Sequence, residues 1–284
     1  MAAIDETHSG VRRHRLTAYL VLIALAVFFL FPVAFMVSGA FKPDDEVLAD
    51  ADSLGAFVLS DVTTENFRDA FDRASFGRLF VNSTIVAVFV VGFGMIVNSL
   101  AGYGLARLPF RGSRLLVLAV VALTIIPLEA VAIPLLFIVS ELGWRDTYHV
   151  QILPFIANPL FIYLFYTFFL GVPKELEEAA RIDGAGPWTT FIRVVVPQAR
   201  PAYATVGVLS FLFIWGQLLW PVLVTSSTDV RPLPLGLSIF VAQPPISWGD
   251  IMAFALMMTA PLLVVFIIFQ RWFVRSVARS GLKG

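Results

Sequence analysis

Six long apolar runs, separated by short polar stretches, organise this chain. They lie near Leu16–Ala40, Phe80–Ala106, Leu115–Val139, Val150–Gly171, Ala202–Val224 and Ile251–Phe273. Each is long enough to cross a bilayer as a helix, which takes about 20 residues. The pattern predicts an all-α integral membrane protein with six transmembrane helices. Residues 1–15 read as a short polar tail, 16–273 as the membrane domain and 274–284 as a second tail. The first run does not read as a cleavable signal, because it is too long and no A-x-A-like site follows it. One polar interval, 173–200, is longer and more structured than a simple connection between spans requires.

Composition supports the same class. Hydrophobic residues make up 58% of the chain and charged residues 14%, far more apolar than an ordinary soluble domain. The formal net charge is zero, so nothing global points to nucleic acid. Cysteine is absent, which excludes disulfides, thiolate metal sites and thiol catalysis. The three histidines, His8, His14 and His149, form no pair at metal-ligand spacing. The lysines are Lys42, Lys174 and Lys283, and none stands in a Gly-x-x-x-x-Gly-Lys context, so the chain has no P-loop. With the N-terminus inside, fourteen Lys and Arg fall on the cytoplasmic side and six on the other. That asymmetry orients both termini and the 173–200 interval toward the cytoplasm.

The interval opens with Pro173-Lys-Glu-Leu-Glu-Glu-Ala-Ala-Arg-Ile-Asp-Gly-Ala-Gly-Pro-Trp188. Proline favours the first helical position and acidic residues favour the first turns, here Glu175, Glu177 and Glu178. Gly184 stops this helix. Pro187 opens a second one, Trp188 to Val196, which ends at Pro197. The spacing predicts a helix–turn–helix at the membrane surface. An ordinary amphipathic interfacial helix carries similar charges, and spacing alone leaves both readings open.

Glu178-Ala179-Ala180, followed by Asp183, Gly184 and Pro197, resembles the EAA signature of ABC importer membrane subunits. Asn82-Ser83, Ala101-Gly-Tyr-Gly-Leu-Ala-Arg107, Trp220-Pro221, Phe269-Gln-Arg-Trp-Phe-Val-Arg275 and the terminal Gly281-Leu-Lys-Gly284 are similar to the carbohydrate branch of these permeases, the maltose and multiple-sugar transporter-like proteins. Two positions depart from the pattern: Val194 and Val196 replace Ile and Leu before Pro197, and Gly216-Gln217 replaces Asn-Asp between two tryptophans. The resemblance implies a type I ABC importer (MetI-like) permease fold in a bacterial inner membrane. It implies that residues 173–200 form a coupling loop seated on a cytoplasmic ATPase dimer. Ala179, Ala180, Ile182 and Ala185 would then offer a compact surface, Glu178 a charge, and Gly184 the turn. ATP and Mg would be bound by that partner, with no cofactor in this chain. The remaining partners implied are a second permease subunit, an extracytoplasmic substrate-binding protein and a sugar.

Polar groups inside spans default to functional hypotheses. Counted at ~1.5 Å per residue, Glu129, Asn158 and Gln217 lie roughly 21, 20 and 22 Å from the cytoplasmic side. With Trp215, whose ring suits the C–H faces of a sugar, they are the expected substrate-pathway residues. The competing reading makes Asn158 and Gln217 helix-packing hydrogen bonders. Asn98, roughly 9 Å from the cytoplasmic side, reads as a packing residue. The acidic external loop, 41–79, reads either as a docking surface for the binding protein or as a solvated face. A glycerophosphate importer subunit is an alternative. So is an ion-coupled secondary transporter with Glu129 as proton carrier, although no inverted repeat is visible. No Ser-His-Asp or His-acid constellation supports an enzyme.

Overall fold

The computed structural model describes residues 3–59, 61–242, 244 and 246–280; the terminal Gly281–Gly284 motif lies outside them. Among these residues all regular structure is helical. In chain order the helices are α1 (Ala3–Ala40), α2 (Asp44–Ala49), α3 (Glu65–Arg73), α4 (Phe76–Arg107), α5 (Ser113–Leu123), α6 (Leu128–Glu141), α7 (Tyr148–Ile152), α8 (Pro159–Leu170), α9 (Lys174–Ile182), α10 (Pro187–Thr190), α11 (Val196–Gln198), α12 (Arg200–Trp215), α13 (Leu219–Val224), α14 (Leu237–Ala242) and α15 (Trp248–Ser280). The helix α1 begins at Ala3, so the polar segment before Arg15 extends the first helix.

Four segments are long and apolar enough to cross a bilayer: Thr17–Ala40, Phe76–Arg107, Tyr148–Leu170 and Trp248–Gln270. The expectation of six comparable helices is corrected at the other two runs. The third run is bent by 99° between α5 and α6. Pro127 adopts an extended conformation there (φ −73°, ψ 153°), and it disfavours the helical conformation of the residue before it. The fifth run breaks after Trp215, where Gly216 ends α12 before α13 begins.

The chain divides into two compact units, Met1–Ala74 with Leu237–Met257, and Ser75–Gly236 with Met258–Gly284. In the first unit the segment after α1 is organised by polar side chains that find backbone partners. The Lys42 ammonium is 1% exposed; it donates to the Gly55 carbonyl and pairs with Asp50, both at 2.7 Å. Asn66 donates to the carbonyls of Ala40 and Lys42 at 3.0 and 2.7 Å. Asp44 accepts from the Gly249 amide and the Ser247 hydroxyl, and Asp250 lies 3.4 Å from Arg73. Part of the loop's acidity is therefore spent internally, on holding 41–74 against 237–257.

The second unit is built on the crossing of α4 with α8. The helix α4 runs unbroken for 32 residues because no proline interrupts it, and it stops where Leu108 precedes Pro109. Gly102 permits the close approach: a Cβ there would lie 2.7 Å from the Phe165 Cβ and 2.9 Å from the Tyr166 nitrogen. Phe161, Phe165 and Phe169 recur every four residues along one face of α8. They pack with Phe191, Val195, Ala199, Ala202 and Val206 into one buried cluster. Lipid tails are as apolar as these side chains, so this contact is held by close packing rather than by expulsion of water. The cluster ties the α8 span to the turn that follows α9 and α10.

Candidate functional site

The segment from Pro173 to Pro197 forms the expected helix–turn–helix, with differences in detail. Pro173 is the N-cap of α9 (φ −58°, ψ 130°), one position before the first helical residue. At the other end the Gly184 amide donates to the Arg181 carbonyl at 3.0 Å, and the Ala185 amide to the Ala180 carbonyl at 2.9 Å. This is a Schellman closure, which needs a left-handed residue at its centre. Gly184 supplies it, with φ +82°.

The second helix does not stop at Pro197. Residues Phe191–Val195 form a π turn, and α11 carries the chain through Pro197 to Gln198. The wider i→i+5 turn shifts the hydrogen-bond register just before a residue that has no N–H to donate. The Ala199 amide resumes the ladder by donating to the carbonyls of Val195 and Val196 at 3.0 and 3.1 Å.

The two faces of α9 differ in kind. Glu178, Ala179, Ile182, Asp183 and Gly184 are exposed, while Ala180 and Pro197 are half-buried. Ile182 is 87% exposed and Trp188 63%, two large apolar groups presented on a polar segment. Glu178 makes no ion pair or hydrogen bond among the described residues. The surface therefore offers apolar area, small side chains and two carboxylates, Glu178 and Asp183, that are unpaired among the described residues.

The opposite face holds Glu177, which sequence reasoning passed over as one of three acids in the first turns. It is 5% exposed. Arg107 Nε lies 2.9 Å from Glu177 Oε1, with both side chains nearly buried. The contact is Coulombic, since its angles do not make an aligned hydrogen bond. The Tyr103 hydroxyl donates to Glu177 Oε2 at 3.0 Å, and the Arg107 guanidinium also donates to the Val172 carbonyl. The Tyr103 ring stands 4.8 Å from Phe191 and 5.7 Å from Phe169, centroid to centroid. No pattern in the sequence marks Glu177 as the acid that turns inward; only the rotation of α9 does.

The four residues expected along the substrate pathway are not gathered in one place. Glu129 stands in the first turn of α6, beside the bend, exposed and without a side-chain partner among the described residues. Asn158 is the N-cap of α8: its Oδ1 accepts from the amides of Leu160 and Phe161 at 3.0 and 3.4 Å. Its own amide donates to Asn98 Oδ1 at 2.9 Å, while Asn98 Nδ2 donates to the Ile156 carbonyl at 3.1 Å. Asn98 is thus a packing residue with a definite task, satisfying the backbone freed where the fourth run breaks. Trp215 is 3% exposed, donates to the Met258 carbonyl at 3.0 Å and packs against Phe80 and Phe211. It lines an apolar cleft of about 600 Å³ with Thr84, Met95, Tyr203, Gly207 and Phe269. Gln217 lies in the break after α12 and lines a separate, smaller cavity with Ser83, Gln151 and Trp220.

A further polar set, absent from the sequence-derived candidates, anchors the segment after α13 within the same unit. Asn82 donates to the Arg231 carbonyl at 2.9 Å and accepts from the Tyr148 hydroxyl at 2.7 Å. Ser83 Oγ accepts from the Leu233 amide at 2.7 Å, and Gln151 donates to the Val230 carbonyl at 2.8 Å. Asp146 Oδ1 accepts from the amides of Ser227 and Ser226 at 2.7 and 2.5 Å. These two donors hold the Asp146 carboxyl below the usual carboxylate range, helped by Arg145 and Arg231 nearby.

Comparison with known proteins follows the same lines. The family described as binding-protein-dependent transport system inner membrane component matches residues 91–279. The arabinooligosaccharides transport system permease protein AraQ of Halalkalibacterium halodurans is 31% identical over 261 residues, 92% of this chain and 93% of that protein. The trehalose transport system permease protein SugB of Mycobacterium tuberculosis is 34% identical, over 95% of this chain and 98% of its own length. A solved bacterial ABC transporter involved in import of the acidic polysaccharide alginate contains a chain that superposes with a TM-score of 0.82. The match covers 92% of this chain and 97% of that one at 21% identity, a likeness of fold.

Proposed function

The chain belongs to the binding-protein-dependent transport system inner membrane components, and from that premise we propose that it is one of two permease subunits of an ATP-driven importer for a sugar or oligosaccharide. It is a transport subunit, and hydrolysis falls to a partner ATPase dimer. The observation that carries this reading is the exposed face of α9 with its Schellman turn and Trp188. A segment at the membrane surface that leaves Ile182 and Trp188 uncovered, with Glu178 unpaired among the described residues, is built to be covered by a protein. The two relatives named for arabinooligosaccharide and trehalose transport support a sugar as cargo. The family's own description supports a binding protein that delivers it.

The geometry supports one mechanism for this reading. Closure of the ATPase subunits on ATP draws the docked α9 segments of two permeases together. The α9 segment is continuous with α8 through Val172 and Pro173, and with α12 through the π turn, so its displacement enters the membrane through both spans. The broken third and fifth runs complete six crossings, with both termini cytoplasmic as the Lys and Arg asymmetry requires. Glu129 and Gln217, whose side chains have no partner among the described residues, are the passage groups retained from the expected set. Asn158 and Trp215 remain pathway residues only through the backbone and cleft they shape.

Purification of the tagged chain in mild detergent, with co-purifying proteins identified by mass spectrometry, tests this reading. Recovery of an ATPase and a second permease is expected, with loss of the ATPase when Ile182→Asp and Gly184→Val are combined. ATP-dependent uptake of a sugar by the reconstituted complex is expected as well. A chain that purifies alone and transports in liposomes without ATP overturns the proposal in favour of a secondary transporter.

A further inference from the structure

We propose that Arg107, Tyr103 and Glu177 form a buried strut that makes α4 move with the coupling helix α9, so that α4 relays ATPase closure to the loop on its opposite end. This rests on the coupling reading above and goes beyond it. The covalent chain connects α9 to α8 and α12, and nothing in the sequence connects it to α4.

The geometry of the strut is specific. Arg107 and Tyr103 lie one turn apart on the same face of α4. Between them they engage both carboxylate oxygens of Glu177, Arg107 on Oε1 at 2.9 Å and Tyr103 on Oε2 at 3.0 Å. A single contact leaves a carboxylate free to swivel, whereas two contacts on two oxygens fix its plane. Arg107 also donates to the Val172 carbonyl at the end of α8, so one guanidinium holds three helices at the membrane surface. Both charged side chains are nearly buried, 5% and 6% exposed. A buried ion pair contributes little net stability compared with apolar packing, but removing one partner leaves an uncompensated charge. The arrangement therefore serves to hold α9 and α4 in one register more than to stabilise the fold.

The other end of α4 makes the strut consequential. The helix is continuous over 32 residues, about 48 Å at 1.5 Å per residue. Near its start, Asn82 donates to the Arg231 carbonyl and Ser83 accepts from the Leu233 amide. Rigid helix, strut and outer hydrogen bonds form a contiguous physical path from the ATPase-facing helix to the loop after α13. A displacement of α9 that carries α4 with it strains or releases the loop at 225–236. Glu178, on the exposed face, touches the partner; Glu177, on the buried face, positions the helix that touches it.

The test uses the reconstituted importer with its ATPase, second permease and binding protein. The chain has no cysteine, so Thr228→Cys, at an exposed loop position, introduces a single reporter in this subunit. In the parent protein, ATP is expected to change the rate of thiol labelling at that position. In Arg107→Ala the ATP-dependent change is expected to shrink roughly fivefold or more, the scale of an ordinary coupling free energy, while the ATPase still co-purifies. ATP hydrolysed per sugar imported rises in parallel. Tyr103→Phe is expected to fall between the two, and the exchanged pair Arg107→Glu with Glu177→Arg to restore part of the response. Failure of the parent protein to bind an ATPase removes the coupling reading itself. An intact complex in which Arg107→Ala and Tyr103→Phe keep the parental labelling response and ATP-to-sugar ratio overturns the strut alone.

Discussion

Gly102 lies so close to Phe165 that a side-chain carbon at position 102 would fall 2.7 Å from the Phe165 Cβ. Backbone is equally near: the Tyr166 nitrogen lies 2.9 Å and the Ile162 oxygen 3.0 Å from the same point. No flexible side-chain tip is available to move aside, so the whole α4–α8 crossing must open to admit a methyl group. Gly102→Ala is expected to destabilise the protein by about 1–3 kcal/mol, the usual cost of overpacking. Gly207→Ala, which meets the mobile Met95 Cε at 2.8 Å, is expected to cost much less. Thermal unfolding in detergent, followed by intrinsic fluorescence, compares the two; equal melting temperatures would contradict the packing argument.

At Gly184 the constraint is conformational instead. A Cβ there meets nothing within 4 Å, yet the φ of +82° is strained for any L side chain. The cost of a left-handed conformation is about 1–2 kcal/mol for most residues, and asparagine bears it best. ATPase co-purification is therefore expected to decline in the order Gly, Asn, Ala, Val at position 184, with little change in the melting temperature of the membrane helices. A Val variant that binds ATPase like the parent would separate docking from this turn.

Asn98 and Glu129 are both polar groups in predominantly apolar runs, and the structure predicts opposite consequences for removing them. Asn98 closes two backbone hydrogen bonds at the break before α8, with the Ile156 carbonyl and the Asn158 amide. Asn98→Ala leaves both partly buried groups without that partner and is expected to cost at most about 1–3 kcal/mol for each. Glu129 is exposed and holds no partner among the described residues. Glu129→Ala is expected to leave the melting temperature unchanged and to lower the rate of sugar uptake. Unchanged uptake and unchanged ATPase stimulation would remove Glu129 from the passage.

The Asp146 carboxyl is held below its ordinary range by the Ser227 and Ser226 amides. Its contribution to anchoring the loop is full above the unfolded-state value, near pH 3.9, and is lost as pH falls through the lower folded value. Amide hydrogen exchange at 225–230, measured on the folded protein, is expected to stay constant from pH 7 to about pH 5 after correction for intrinsic rates, and to quicken below about pH 4. Asp146→Asn is expected to show the quickened exchange already at neutral pH. Exchange in this loop that is independent of both acid and the substitution would show that the two hydrogen bonds do not hold it.

Much of the fold was legible from the sequence because the signals are local. Apolar run length predicted where helices cross the membrane, and the polar 173–200 interval announced the helix–turn–helix with Gly184 at its corner. The breaks are written in the chain as well. Pro127 bends the third run, Asn158 before Pro159 caps a new helix, and Gly216 ends α12. Each acts through backbone preferences within a turn of its own position.

The site was legible only on its outward side. Hydropathy and proline and glycine placement by themselves determined an all-α membrane protein with a polar helix–turn–helix segment, because each depends on a residue's own conformation or on immediate neighbours. Tertiary structure alone decided that Glu177 rather than Glu178 turns inward to Arg107, that Asn98 reaches the Asn158 amide, and that Trp215 donates to Met258 instead of standing free in a passage. Those pairings depend on how each helix is rotated about its axis and how closely α4 and α8 cross, which the packing of all their side chains sets at once. One step along a helix turns a side chain by about 100°, enough to separate an exposed charge from a buried one.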